Sequence, residues 1–127
     1  MDQALNLIFR AIKNGSGGEV FVPKLKAYTV GLVKDALLEL LDGKNITKEI
    51  SIRPGEKLHE VLINKFELRH TYETDEDYVI LNEHPLDSTL NSHNWKKSKL
   101  SKPYISDNVD LLSKEELKNI LKSSNLV

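Results

Sequence analysis

The sequence predicts an α/β or α+β fold, and two observations support this prediction. Residues 19–53 read as strand, helix and strand at the lengths of a parallel βαβ unit. Before this unit, residues 2–14 carry apolar side chains at helical spacing and predict a helix that packs on it. The chain has 127 residues, enough for one domain with an apolar core or for a piece of a larger protein.

The first helix is predicted from Asp2 to Asn14, where the segment NGSGG ends the apolar repeat. A helix that begins at the first residue has no N-cap residue before it and frays. Two explanations stay open at this point. Either Asp2 caps a natural N-terminal helix, or residues upstream of it have been lost.

A strand and a second helix are expected next. The run EVFVPK is rich in β-branched and aromatic residues and closes at Pro23, which predicts a buried strand that leads into a loop. Thr29 can cap the following helix, whose wide apolar stripe covers residues 30–41. We then expect a strand at KEISIR, because Ile50 and Ile52 alternate there with polar residues.

The second half of the chain is less regular until its last helix. The residues from Tyr78 to Leu81 form a short strand candidate, and residues 82–105 predict a long loop or an extended arm. Ser113 is followed three residues later by Glu116, the signature of a capping box. A well-specified terminal helix therefore follows Ser113.

Charge, cysteine content and hydropathy narrow the classes of function. Eighteen Lys and Arg against nineteen Asp and Glu leave a formal net charge of −1, so no global field attracts nucleic acid or an anionic membrane. The chain has no cysteine, which excludes disulfides and fits a reducing compartment. No apolar run reaches membrane-spanning length, and the first residues, MDQALNLIF, lack the basic n-region of a signal peptide. We expect a cytoplasmic protein that binds neither nucleic acid nor membrane.

Two weaker motifs are better explained without a ligand. His59 and Glu60 begin like the helix of a zinc protease, but Ile63 stands where the second histidine is required, so we predict no metal site. The segment NWKKSKLSK combines Trp95 with several lysines, as single-strand nucleic-acid sites do. An isolated basic loop in a near-neutral protein is more often a solvated surface.

The stretch RPGEK, residues 53–57, is the candidate ligand site. Arg53 carries a planar guanidinium that can bind two phosphate oxygens at once, and Glu56 can accept hydrogen bonds from sugar hydroxyls. Pro54 and Gly55 let the backbone turn sharply beside a ligand. The competing explanation is an exposed ion pair between Arg53 and Glu56 around an ordinary turn. The residues alone leave both explanations open.

The chain resembles the C-terminal part of extended short-chain dehydrogenase/reductases that act on nucleotide sugars. The resemblance lies in the segment RPGEKLHEVLI, together with GEVFVPK before it and YISDN and LSKEEL after it. The similarity is greatest to the polysaccharide-biosynthesis 4,6-dehydratase/5-epimerases for UDP-N-acetylglucosamine. The resemblance implies a small substrate-binding domain without the Rossmann domain. In that domain Arg53 would meet the nucleotide diphosphate, and Glu56 would contact the ribose or support the arginine.

The resemblance also implies a division of the chain. Residues 1–85 would form the nucleotide-sugar-binding region, and residues 86–127 a C-terminal extension with a terminal helix, for which Trp95 is a docking anchor. The expected partners are a UDP-sugar and either a complementary catalytic domain or a second copy of the chain.

The family's catalytic motifs are missing from the sequence. Enzymes of this type hold NAD(P) at a Gly-rich βα turn and use a Tyr-x-x-x-Lys pair, but Gly15, Gly17 and Gly18 follow a helix, and no tyrosine has a lysine four residues later. We therefore expect no catalytic, cofactor-binding or metal residues in this chain, and NAD(P) only in the full-length family. Whether the chain works as part of an enzyme stays open; the alternative is a non-enzymatic interaction module or a truncated remnant.

Overall fold

A computed structural model describes residues 2–43, 46–82 and 95–124. Within these ranges the elements, in chain order, are α1 (Asp2–Asn14), β1 (Val20–Pro23), α2 (Val30–Leu40), β2 (Val61–Ile63), a 3₁₀ helix (Glu67–His70), β3 (Thr71–Glu73), β4 (Asp77–Ile80), β5 (Lys96–Lys97), β6 (Tyr104–Ile105) and α3 (Lys114–Ser123). The fold is α+β, one of the two classes that the sequence predicts.

The strands form two antiparallel sheets. The larger sheet has the order β1-β4-β3-β5, and the smaller one pairs β2 with β6. In the larger sheet Val20 pairs with Ile80 and Pro23 with Asp77, so β1 runs antiparallel to β4. The predicted parallel βαβ unit is therefore wrong, because the partner of β1 belongs to the hairpin formed by β3 and β4.

The segment KEISIR is not a strand, which corrects the second strand of the predicted unit. Residues 46–60 lie outside helices and strands, and all of them are exposed. Ile50 and Ile52 are 64% and 54% exposed. Alternation of apolar and polar residues gives a segment two unlike faces, but a strand also needs a neighbour with which to pair.

Other predicted elements are confirmed. The bounds of α1 are those expected, Thr29 Oγ1 accepts a hydrogen bond from the Leu32 N–H at 3.1 Å, and α3 begins with the complete capping box of Ser113 and Glu116. The predicted long loop or arm is partly wrong, because β5 and β6 lie within residues 82–105. Residues 83–94 of that segment, which contain the predicted division at residue 85, lie outside the described ranges, so the two-part division stays a prediction.

The core lies between the two sheets. Val22 of β1, Ile63 of β2 and Tyr104 of β6 are buried together. The Tyr104 hydroxyl accepts a hydrogen bond from the Leu25 N–H and donates one to the Leu25 carbonyl, which fixes the loop after β1. The Trp95 ring, directly before β5, packs edge-to-face on Phe21 of β1 with ring centroids 5.9 Å apart, so it joins the two outer strands of the larger sheet. In the described ranges, no helix has both the length and the apolar character that crossing a membrane requires.

A buried ion pair attaches α1 to the larger sheet. Arg10 of α1 donates from Nε to Asp77 Oδ2 at 2.6 Å and from Nη2 to Asp77 Oδ1 at 2.7 Å. Its Nη1 lies 2.8 Å from Glu76 Oε2. The Asp77 side chain is only 2% exposed, and its hydrogen bonds raise the pKa of the Arg10 guanidinium. A bidentate arginine satisfies a buried carboxylate better than a single donor does.

The carboxylate of Glu39 in α2 forms ion pairs with two lysines of α3. Glu39 Oε1 and Oε2 each lie 2.5 Å from a lysine of α3, Lys114 and Lys118 respectively. The hydrogen bond from Lys114, followed by that from Lys118, lowers the pKa of Glu39 to about 2. Because the folded-state pKa of Glu39 lies below the usual value of 4.5, the interaction of its carboxylate with the two lysines stabilises the fold above about pH 4.5. That stabilisation is lost as the pH falls towards 2.

The replacement Glu39→Gln should therefore reduce the acid sensitivity of the fold. We expect the wild-type chain to lose more stability than Glu39→Gln does when the pH falls from 5 to about 2, since the amide does not titrate. Urea unfolding at several pH values, followed by circular dichroism, measures this difference. Glu49→Gln on the exposed segment 46–60 is the matched control, and an equal effect of both replacements would contradict the assignment.

Candidate functional site

The segment RPGEK folds into a tight turn that its sequence specifies. The Glu56 N–H donates to the Arg53 carbonyl at 3.0 Å, which closes a four-residue turn with Pro54 and Gly55 at its centre. Gly55 has a φ of +89°, which the second central position of a type II turn requires and which glycine adopts without strain. Proline fixes φ at the first central position. The turn therefore forms from local interactions.

Arg53 and Glu56 lie together on the surface of this turn. Glu56 Oε2 accepts a hydrogen bond from the Arg53 backbone N–H at 2.8 Å, while Oε1 lies 3.9 Å from the Arg53 Nε. The second distance is too long for a hydrogen bond. The Arg53 side chain is 74% exposed. The carboxylate thus closes the turn, and the guanidinium of Arg53 extends into solvent from a fixed backbone.

The structure brings together the two residues that the sequence singled out, but for a different reason from the one expected. The strand predicted at KEISIR, residues 48–53, would place RPGEK at its carboxyl end, where open α/β sheets bind ligands. The turn instead belongs to the exposed segment that leads into β2. Its shape accounts fully for Pro54, Gly55 and the carboxylate of Glu56. The guanidinium of Arg53 is not needed to close the turn, and its 3.9 Å contact with Glu56 Oε1 is the exposed ion pair of the competing explanation.

A small cavity lies where the segment meets β2 and β6. Its volume is about 130 Å³. The residues that line it include Leu25, Glu60, Leu62, Tyr104, Ser106 and Val109. The sequence offered no way to foresee this cavity, because the three segments that form it are far apart in the chain. The quoted motif YISDN, residues 104–108, supplies part of its wall.

The Gly-rich segment after α1 does not fit a dinucleotide phosphate. Gly17 and Gly18 have φ values of +119° and +88°, and the segment connects a helix to a strand instead of opening a helix. The carboxylate of Glu19 accepts hydrogen bonds from the backbone N–H groups of Ser16 and Gly17, at distances down to 2.8 Å. These are the groups that would otherwise receive a phosphate. In the structure these N–H groups therefore bind the carboxylate of Glu19.

The fold is that of the C-terminal part of an extended short-chain dehydrogenase/reductase-like protein. A family model described as "Polysaccharide biosynthesis protein" matches residues 1–82. The chain belongs to this polysaccharide biosynthesis protein family, and the resemblance inferred from RPGEKLHEVLI is confirmed at this level.

Comparison with individual proteins agrees with this assignment. A UDP-glucose 4-epimerase of Rickettsia canadensis (strain McKiel) is 31% identical over 130 residues, which are 98% of this chain and 37% of that protein. The enzyme of the same name from Rickettsia massiliae (strain Mtu5) is 32% identical over 93% of this chain and 35% of its own length. The X-ray structure of Pen from Bacillus thuringiensis superposes with a TM-score of 0.82 at 29% identity, covering 99% of this chain and 36% of Pen. The chain therefore spans little more than a third of these relatives.

Proposed function

We propose that the chain is the nucleotide-sugar-binding part of a polysaccharide biosynthesis enzyme, and that it binds its ligand without turning it over alone. The observation that carries the proposal is the Arg53 guanidinium, which extends into solvent from a turn that Glu56 closes. Family membership and the epimerase names of the relatives indicate a sugar-modifying enzyme. We propose UDP-N-acetylglucosamine as the sugar nucleotide and 4,6-dehydration with epimerisation, for surface polysaccharide, as the reaction of the whole enzyme.

The proposed contribution of the two residues follows from their geometry. A guanidinium can donate to two phosphate oxygens in parallel, so Arg53 would hold the diphosphate. Glu56 supports Arg53 through its hydrogen bond to the Arg53 N–H, which fixes the backbone from which the side chain extends. The redox chemistry of such enzymes is supplied by NAD(P), and the Gly-rich segment of this chain does not fit it. We therefore expect no turnover by the chain alone.

The replacement Arg53→Ala tests the proposal directly. We expect UDP to shift the backbone amide resonances of residues 53–57 in the wild-type chain, and the replacement to raise the dissociation constant at least about tenfold, the usual effect of losing a charged hydrogen bond. Arg53→Lys, which keeps the charge without the two-pronged geometry, should give an intermediate value. Two-dimensional amide NMR titration measures all three.

The control is Lys48→Ala, which removes one positive charge from the same exposed segment. An effect as large as that of Arg53→Ala would show that only net charge matters. Absence of any UDP-dependent shift near Arg53 in the wild type would contradict the proposed function.

A second candidate function, a non-enzymatic interaction module, is favoured by the outer face of α1. Four apolar residues at helical spacing are 46–73% exposed there: Leu5, Ile8, Phe9 and Ile12. Exposed apolar stripes of this kind mark interaction surfaces. We propose the remaining portion of a family protein as the partner, because this chain spans about a third of its relatives. In this case UDP would leave the amide spectrum unchanged, and a partner polypeptide would shift the resonances of α1.

A further inference from the structure

The exposed segment that carries Arg53 is held at its far end by Ser106, the residue that follows β6. The Glu60 N–H donates to Ser106 Oγ at 3.1 Å, and the Ser106 N–H donates to the Glu60 carbonyl at 3.0 Å. His59 Nδ1 lies 3.3 Å from the same Ser106 Oγ. A single side chain therefore contacts two consecutive residues at the end of the segment.

The Ser106 hydroxyl can serve both contacts at once. A hydroxyl has one hydrogen to donate and two lone pairs that accept, so Oγ accepts from Glu60 and donates to His59 Nδ1 when that nitrogen carries no proton. On the other side of the ring, His59 Nε2 lies 3.9 Å from Asp107 Oδ1, which is too far for a hydrogen bond. We call this group of Ser106, His59 and Glu60 the serine clasp.

We propose that Ser106 is a positioning residue for the turn of residues 53–56, which carries Arg53. This inference rests on the function proposed above. Residues 46–60 are all exposed and lie outside helices and strands, so their packing does not fix the turn in space. The turn holds its own shape through Glu56, but its orientation depends on where the segment ends. The serine clasp fixes that end against β6.

The energetic consequence concerns binding. A segment that is free to move must be ordered when its ligand binds, and the lost conformational entropy weakens the affinity. A segment that is already anchored avoids most of this loss. The serine clasp thus makes residues of the C-terminal part of the chain contribute to binding without touching the ligand.

The replacement Ser106→Ala, made in the whole chain, tests this inference with two readouts. We expect the dissociation constant for UDP to rise about fivefold and the order parameters of the Gly55 and Glu56 amides from ¹⁵N relaxation to fall. Ser106→Thr keeps the hydroxyl and should restore both. Ser101→Ala removes an exposed hydroxyl on the stretch before β6 and should change neither.

Each outcome decides a separate question. Ser106→Ala could increase the hydrogen-exchange rate of the Glu60 amide and leave the order parameters of the turn unchanged. In that case the hydrogen bond from Glu60 to Ser106 is only structural, and the inference is overturned. If UDP binds neither the wild type nor the variant, the proposed function fails. The order parameters of the turn still show whether Ser106 restricts its motion. Should Ser106→Ala unfold, His59→Phe removes the histidine acceptor and keeps the two hydrogen bonds between Glu60 and Ser106. Unchanged order parameters in that variant would also overturn the inference.

Discussion

Replacing Arg10 with alanine should lower the midpoint of thermal unfolding by more than about 10 °C. The reason is the carboxylate that the replacement leaves behind. Asp77 is 2% exposed and accepts two short hydrogen bonds from Arg10. Without Arg10, the negative charge of Asp77 stays buried with no positive charge to compensate it. The same replacement detaches α1 from the β3–β4 hairpin. Scanning calorimetry measures the effect.

Two variants separate the buried charge from the loss of a side chain. Lys13→Ala removes a basic side chain from the exposed part of the same helix and should change the midpoint by no more than about 2 °C. The double replacement Arg10→Met with Asp77→Leu removes both charges and should recover much of the stability, since an apolar pair often replaces a buried ion pair well. If Arg10→Ala behaved like Lys13→Ala, the pair would be structurally unimportant.

The helices were predictable because their signals are local. The apolar repeat of α1, the Thr29 cap of α2 and the capping box at Ser113 each depend on residues within one or two turns, and the structure has all three. The pairing of strands depends on residues that are distant in the chain. Nothing near Val22 indicates that β1 pairs with β4, and this is why the parallel unit was wrong.

The candidate site shows the same limit of local signals. The turn at Pro54 and Gly55 follows from its own residues, and Arg53 and Glu56 could be chosen from chemistry and family resemblance. The contact of Ser106 with His59 could not be chosen in this way, because it joins residues 47 positions apart. A motif such as YISDN marks a segment without indicating its partner.

The bulge between β2 and β6 explains why one isoleucine carries much of the core. Val61 pairs with Ile105 and Ile63 with Tyr104, so the register shifts between the two pairs. The shift leaves Val61 and Leu62 at 50% and 46% exposed while Ile63 is fully buried. A regular strand would bury alternate residues, and the pattern VLI alone therefore does not identify which side chain faces the core.

Ile63→Ala should accordingly destabilise the chain by about 3 kcal/mol, within the range for removing a large aliphatic side chain from a core. Ile63 is 0% exposed and packs with Val22 and Tyr104. The replacement therefore leaves a void between the two sheets. Leu58→Ala, at a side chain that is 83% exposed, should change the stability by less than about 0.5 kcal/mol. Urea unfolding compares them. Similar losses for both would mean that Ile63 is not the centre of the core. Some other contact would then have to hold β2 and the turn at residues 53–56 in place.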